Sequence, residues 1–148
     1  MLKQFITVRR SVLIVAAAAI VLGVIAVRVP LSSAGEGRPE PFDLAGTDWV
    51  LASIGGEDLP AGIEITARFD EDRVVGVAGC NSYFAGYETD GGAVTISEMG
   101  TTMMMCPELE MELEGAFTSA LGTAESYQAA GGILEIVYAD GRLIFNAD

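Results

Sequence analysis

The chain has 148 residues, with 21 Asp and Glu against eight Lys and Arg, and it contains no histidine. Its length suits one domain of ordinary size plus an extra segment. The lack of histidine excludes the commonest general base, Cys–His nucleophile pairs and histidine-based zinc sites. Nucleic acid is an unsuitable partner, because binding to it depends on Lys and Arg that neutralise phosphates.

The first segment, residues 1–28, contains an uninterrupted apolar run. Residues 11–27 carry no charge, three basic residues precede them and Arg28 follows. A transmembrane helix needs about 17–25 apolar residues. A secretory signal needs roughly 7–15, with a small-residue cleavage site for which Ser32–Ala34 would serve. We expect an uncleaved single-helix anchor with a cytoplasmic N-terminus. Signal cleavage, giving a secreted or periplasmic protein, is the alternative.

Residues 29–42 are rich in Pro, Gly, Ser and Glu without periodicity, which is typical of a flexible linker. We therefore expect the folded domain to span residues 43–148. All 21 acidic residues follow residue 34, where only four arginines accompany them. Such a surface repels nucleic acid and anionic lipid and keeps the domain soluble. A cationic partner is the alternative explanation of the acidity.

Within the domain, most of the periodic signals are those of β-strands. Residues 47–54 suit a first strand, and residues 63–69 alternate strictly between apolar and polar side chains, as a half-buried strand does. The runs around Asp90–Gly92 and Ala139–Gly141 are typical of hairpins. Together these signals predict about seven or eight short antiparallel strands.

One segment, "PELEMELEGAFTSAL", has helical periodicity instead. Pro107 suits the first helical position and Gly122 suits a helix stop. Apolar residues then recur on one stripe, namely Leu109, Leu113, Ala116, Phe117 and Ala120. We expect this stripe to pack into the core and not to line a ligand groove. The predicted fold class is mainly β (α+β), a barrel-like antiparallel sheet curled around one α-helix.

Cys80 and Cys106 are the only two cysteines. In an exported protein, two cysteines most often form one disulfide, worth roughly 3–4 kcal/mol on loop-closure entropy. Two buried inert thiols are an alternative. A redox or nucleophilic cysteine usually needs a nearby cation or histidine to lower its pKa, and neither flank offers one.

Three short patterns suggest metal or acid chemistry only weakly. The thioethers of Met103–Met105 suit Cu(I), but only the first and third would share a strand face, and methionine also fills irregular cores. Asp70–Asp72 lacks the further ligands of a calcium loop, so a polar turn is the better interpretation. Paired acids for glycoside hydrolysis have no local signature. We predict no catalytic residue, metal site or cofactor.

Several segments resemble the META/HslJ domain family over about residues 43–148. The resemblance is carried by "GVAGCNSYFAGYETDGGAVTIS", "TTMMMCP" and "YQAAGGILEIVYADGRLIF". Its most specific part pairs Gly79-Cys80-Asn81 with Thr102 to Cys106, or with the same tail begun at Thr101. The resemblance implies a small barrel-like antiparallel β domain with one helix, in the bacterial envelope or secreted. It also implies a loose link to stress responses, and no established activity or cofactor.

The Gly-Cys-Asn motif is interpreted as a structural corner of the fold. Cys80 ends a strand, and Asn81 then turns the chain, because asparagine tolerates left-handed backbone angles and hydrogen-bonds nearby backbone. We expect Cys106 to lie close to this corner.

Three functions remain in competition. The first is a non-enzymatic, membrane-tethered extracytoplasmic domain, with a stress-related role, that binds an unidentified envelope protein or supports the envelope. The second is a module that binds a small apolar or cationic ligand in a barrel-like cavity. The third is a hydrolase that uses acidic residues. A filled interior favours the first, an open apolar pocket the second, and paired buried carboxylates the third.

Overall fold

The structure, a computed structural model, describes residues 41–148. The predicted anchor, residues 1–28, and nearly all of the predicted linker lie outside the described residues. No helix within residues 41–148 is long and apolar enough to span a bilayer. The strands are β1 (Thr47–Ile54), β2 (Glu57–Asp58), β3 (Thr66–Phe69), β4 (Arg73–Val77), β5 (Ser82–Asp90), β6 (Ala93–Ile96), β7 (Gly100–Thr101), β8 (Ala124–Ala130), β9 (Ile133–Tyr138) and β10 (Gly141–Ala147). One helix, α1 (Glu108–Gly122), lies between β7 and β8.

Eight of the strands form a closed antiparallel barrel. They follow the order β1, β3, β4, β5, β6, β8, β9, β10, and β10 then pairs with β1. In that closing pair Trp49 lies opposite Ala147, and Leu51 lies opposite Phe145. The two-residue strands β2 and β7 add only to β1 and β5. The predicted mainly β fold with one helix is confirmed, and closure leaves the ring without a free edge.

Alternating side chains of the strands fill the barrel. On β5, Tyr83, Ala85 and Tyr87 are buried, while the alternating residues Ser82 and Phe84 are exposed. The same alternation on the other strands supplies a set of side chains that are fully shielded from solvent. The largest of these on strands are Phe69, Phe145, Leu134, Ile136, Leu143 and Val74. An eight-stranded barrel is just wide enough for side chains to fill, so this interior is a packed core.

Two tyrosines donate hydrogen bonds from their hydroxyl groups to backbone carbonyls at the inner surface. The Tyr83 hydroxyl donates to the Thr66 carbonyl at 2.9 Å, and the Tyr87 hydroxyl donates to the Asp70 carbonyl at 2.7 Å. Burial raises the pKa of both phenols, because low polarity disfavours the phenolate. Both hydroxyls therefore stay donors at neutral pH. The second bond also ties the acidic turn between β3 and β4 to the barrel.

The acidic turn between β3 and β4 carries three consecutive carboxylates. Asp70–Asp72 connects β3 to β4, with the Asp70 amide donating to the Arg73 carbonyl at 2.7 Å. Among residues 41–148, no group of three or more His, Cys, Asp or Glu is placed to hold a metal ion. The turn is thus polar and closed by its own backbone.

The helix contributes its fully buried side chains to the core from its C-terminal half. Phe117, Ala120 and Leu121 are buried, and the Phe117 ring lies 5.2 Å from that of Tyr83 and 6.4 Å from that of Phe145. In contrast, Leu109 is 48% exposed. Leu113 is partly buried and packs against the core, whereas Ala116 is exposed. The predicted core stripe is therefore wrong for Leu109 and Ala116. Because strand side chains already fill most of the interior, the fully buried residues of the helix all lie in its C-terminal half.

Candidate functional site

The Gly-Cys-Asn motif forms the connection between β4 and β5, here called the asparagine corner (residues 78–81). The Ala78 amide donates to the Asn81 carbonyl at 2.8 Å and closes the turn. Gly79 carries the left-handed conformation, with a φ of 88°. A Cβ added there would lie 3.6 Å from the Glu110 carbonyl oxygen, so the corner sits against the first turn of α1. The left-handed angle thus belongs to Gly79, and Asn81 acts through its side chain.

The Asn81 side chain is buried, at 2% exposure, and uses both ends of its amide. Its Oδ1 accepts from the Thr102 hydroxyl at 2.8 Å and from the Met104 amide at 2.7 Å. Its Nδ2 donates to the Met104 carbonyl at 3.3 Å and to the Glu114 carboxylate at 3.0 Å. The backbone amide of Asn81 donates to the same carboxylate at 3.1 Å. One side chain thereby joins the corner, the segment before α1 and α1 itself.

Thr102 is the threonine that completes the motif. Its hydroxyl donates to Asn81 and accepts from the Ser82 amide at 3.1 Å. Thr101 instead pairs with Tyr83 in the short ladder of β5 and β7. Of the two possible motif starts, Thr101 and Thr102, the structure therefore selects Thr102.

Glu114 is the member of this network that sequence reasoning missed. It belongs to a helix whose sequence, "ELEMELEG", places a glutamate at every second position. Nothing in that pattern distinguishes the one carboxylate that turns toward Asn81 from three that do not. Its contact with the corner depends on how α1 docks against the barrel.

A disulfide joins Cys80 to Cys106, with the two Cα atoms 6.1 Å apart. The predicted pairing is confirmed, and neither cysteine is free. The disulfide holds the C-terminal end of residues 102–106, the segment that starts at Thr102. All five residues singled out from the motif, Gly79, Cys80, Asn81, Thr102 and Cys106, therefore meet at one place. Residues 102–106 are fastened at both ends and are called the methionine loop below.

The methionine loop displays its side chains to solvent. Met103 and Met105 are each 95% exposed, and Met104 is 56% exposed. The backbone of Met104, however, is held at both its amide and its carbonyl by Asn81. The core-filling interpretation of these three methionines is wrong. Three consecutive apolar side chains on a fixed backbone form a surface that folding alone does not require.

The helix that follows this loop carries negative charge in its first turn. Two of its glutamates, Glu108 and Glu110, lie in the first turn, and no basic residue lies in the last. Within residues 41–148, the ion pairs involve Arg68, Arg73 and Arg142, and their partners lie outside α1. Met111, on the same helix, is 44% exposed. The exposed apolar surface thus lies beside carboxylates that have no cationic partner among the described residues.

A second feature, the helix cleft, lies between α1 and the β1–β2 hairpin. It has a volume of about 330 Å³. Apolar side chains of both elements line it, and carboxylates stand beside them. The lining comprises Ile54, Leu59, Pro60, Leu109, Leu113 and Ala116 with Glu57, Asp58 and Glu112. The cleft is a groove of the surface outside the packed barrel interior.

Buried acids are absent from the described part of the chain. Apart from tyrosines, Ser53 and Asn81 are the only polar residues buried within residues 41–148. No pair of carboxylates there is shielded in the way that a general acid with a raised pKa requires. The arrangement offers hydrogen-bonded support and an apolar surface, and it presents no matched acid and base.

Comparison with known proteins gives a family and a fold. A family model described as the META domain matches residues 42–147. An NMR structure of a protein from Burkholderia xenovorans is similar with a TM-score of 0.60 and 25% identity, over 74% of this chain and 91% of that one. A second NMR structure has a TM-score of 0.56 and 22% identity, over 68% and 88%, and shows the fold alone. No curated protein matches the sequence.

Proposed function

The chain belongs to the META domain family, and from this premise we propose that it is a non-enzymatic, membrane-tethered extracytoplasmic domain that binds a protein of the cell envelope. The family match agrees with the resemblance carried by the Gly-Cys-Asn and Thr-Met-Cys motifs. Binding occurs through the methionine loop and the adjoining part of α1. The small closed β-barrel serves as the rigid support of this surface.

The exposure of the methionine loop is the observation that carries the proposal. The barrel interior is packed with buried side chains, whereas Met103 and Met105 are each 95% exposed. Exposed apolar patches with polar surroundings mark interaction surfaces, and methionine adapts its shape to different partners. Since Asn81 and the disulfide already fix the loop backbone, docking orders only side chains, which lowers its entropic cost.

The charge beside the loop defines the chemistry of the partner. Glu108 and Glu110, in the first turn of α1, have no cationic partner within residues 41–148. A complementary segment carries apolar side chains flanked by Lys or Arg. Charge complementarity of this kind raises the association rate and weakens with added salt.

The tether and the compartment rest on the sequence and on the disulfide. Residues 11–27 are apolar with basic residues before them, and disulfides persist mainly in oxidising compartments. A stress-related role is supported by the family resemblance alone. Intact-mass measurement of the mature protein tests the tether: we expect the N-terminal segment to be retained. A mature N-terminus at Gly35 would instead identify a cleaved signal.

Photocrosslinking in the native envelope tests the docking surface. A photoreactive residue replaces Met104, and a matched control replaces Ile133 on β9, which has a similar exposure of 49% against 56%. In the sheet order, β8 and β6 separate β9 from β5. We expect one discrete protein adduct from position 104 and none from position 133. Identical adducts from both positions, or none from position 104, would count against the proposal.

A small cationic, apolar ligand in the helix cleft is the second candidate function. The cleft combines an apolar lining with Glu57, Asp58 and Glu112, and its volume of about 330 Å³ suits a small molecule. A hydrophobic cationic dye provides the probe. Ala116→Phe fills the cleft, whereas Ser119→Phe adds the same ring to an exposed helix position outside the lining. Saturable dye binding lost only in Ala116→Phe supports this function, and equal binding by both variants excludes it.

A further inference from the structure

We propose that Met103 and Met105 form a reversible oxidation site, at which two-electron oxidants such as hydrogen peroxide or hypochlorous acid produce methionine sulfoxides while the fold stays intact. This assignment concerns the chemistry of the loop and stands on exposure and hydrogen bonding. Its consequence for docking, given below, rests on the proposed function.

Access to sulfur distinguishes these two residues from the other methionines of the described region. Met103 and Met105 are each 95% exposed, against 56% for Met104 and 44% for Met111. Met99 packs against the core. A thioether reacts when the oxidant reaches its sulfur atom, so the expected order follows exposure. Met103 and Met105 react first, and Met99 reacts last.

The reaction is balanced without any group from the protein beyond the thioether. A sulfur lone pair attacks one oxygen of hydrogen peroxide, the O–O bond breaks, and water leaves as the sulfoxide forms. In the reverse direction, a methionine sulfoxide reductase supplies two thiols, and the products are the thioether, a disulfide and water. Cys80 and Cys106 are already joined, so these thiols belong to the separate reductase.

The fold tolerates this modification because the methionine side chains do not hold the loop. The loop is held by Asn81, which binds the backbone amide and carbonyl of Met104, and by the disulfide at Cys106. A sulfoxide at position 103 or 105 adds a polar oxygen where water already reaches. A sulfoxide at Met99 would instead place that oxygen against core side chains.

The consequence is a change of surface without a change of fold. Oxidation converts the two most exposed large apolar side chains of the described region into polar ones. If the methionine loop docks onto an envelope protein, its oxidation weakens docking. The loop would then report oxidants to the partner, with the reductase restoring the apolar surface.

Peptide mapping of full-length protein in detergent tests the site directly. The protein is exposed to limited hydrogen peroxide, denatured, reduced and cleaved after glutamate. Cleavage after Glu98 and Glu108 gives one peptide, residues 99–108, which carries Met99 and the three loop methionines. Met99 is therefore an internal control. We expect sulfoxide at Met103 and Met105 to form about tenfold faster than at Met99, with an unchanged unfolding midpoint. Equal rates, or a midpoint that falls as these two residues are oxidised, would overturn the assignment.

A double variant, Met103→Leu with Met105→Leu, tests the consequence. It keeps apolar side chains of similar volume but cannot form sulfoxides. With the photoreactive residue at position 104, peroxide should lower the adduct yield of the parent several-fold. The adduct yield of the double variant should not change relative to its own untreated sample. An equal loss in both would contradict oxidative control of docking. Absence of any adduct before peroxide would count against the proposed function alone, and the peptide map would still decide the oxidation site.

Discussion

Asn81 and the methionine loop belong to one pair of motifs, but the Asn81 side chain is buried and the loop methionines are exposed. Asn81 is 2% exposed, and both ends of its amide are hydrogen-bonded. Met103 and Met105, fastened by that network, are each 95% exposed. The buried Asn81 side chain therefore stabilises the loop, and the exposed side chains of Met103 and Met105 are available to contact a partner. Because the two roles lie on different side chains, substitutions can separate them.

Asn81→Ala should have the largest effect on stability. It removes the side-chain hydrogen bonds to Thr102, Met104 and Glu114 and leaves their part-buried polar groups without these partners. We expect a cost of about 2–4 kcal/mol in the free energy of unfolding. Asn81→Gly should lose as much, since the left-handed residue is Gly79. Ser82→Ala, at an exposed neighbouring position, is the control and should change stability little. Chemical denaturation measures all three. A loss below about 1 kcal/mol in Asn81→Ala would show that the network is not what holds the loop.

Loss of the disulfide should follow in size. Replacing Cys80 and Cys106 together by alanine frees a loop with a sequence separation of 26 residues. Because the unfolded chain retains some structure, we expect a loss of roughly 2–3 kcal/mol, below the full loop-closure value. Denaturation of the oxidised parent and the double variant gives the difference. Thiol counting on the unreduced, denatured parent should find no free thiol, and two per chain would contradict the pairing.

Gly79→Ala and Gly115→Ala should change stability in opposite directions. Alanine at Gly79 meets ordinary contacts but must adopt a φ of 88°, so we expect a loss of about 1–2 kcal/mol. Gly115 lies within α1 with nothing near its added Cβ, and alanine there should add about 0.5–1 kcal/mol through helix propensity. Thermal unfolding of both variants provides the comparison. A neutral Gly79→Ala would mean that the corner does not need its left-handed residue.

Met103→Ser with Met105→Ser should change stability least. Neither side chain packs against the core, so the free energy of unfolding should stay within about 0.5 kcal/mol of the parent. Met99→Ser, at a side chain that does pack against the core, is the matched control and should lose clearly more. A double variant as damaging as the control would remove the distinction between the support and the displayed surface.

Sequence reasoning reached the fold and the corner because their signals are local. Alternation over residues 63–69 and the glycine-rich turns each depend on a few neighbouring residues, and the pairing of Cys80 with Cys106 follows from their being the only two cysteines. The barrel's closure was harder to specify, because the pairing of β1 with β10 joins the two ends of the domain. Periodicity also predicted a buried Leu109, although the filled barrel leaves that turn of α1 outside.

The candidate site was only partly predictable for the same reason. Asn81 and Thr102 were identified as motif residues, and their meeting follows from the fold. The role of Glu114 depends on the docking of α1, which no local pattern encodes. The exposure of Met103–Met105 runs against the usual preference of methionine for the interior. That departure from the sequence-based expectation is what points to a function for the loop.

Crosslinking from position 104 in the native envelope, compared among three backgrounds, tests the central claim most directly. The backgrounds are the parent, Met103→Ser with Met105→Ser, and Ile133→Ser as an exposed apolar control on β9. We predict a several-fold loss of adduct in the methionine variant, with an unchanged unfolding midpoint and an undiminished yield in Ile133→Ser. Equal adduct yield in the parent and the methionine variant would contradict docking through the methionine loop.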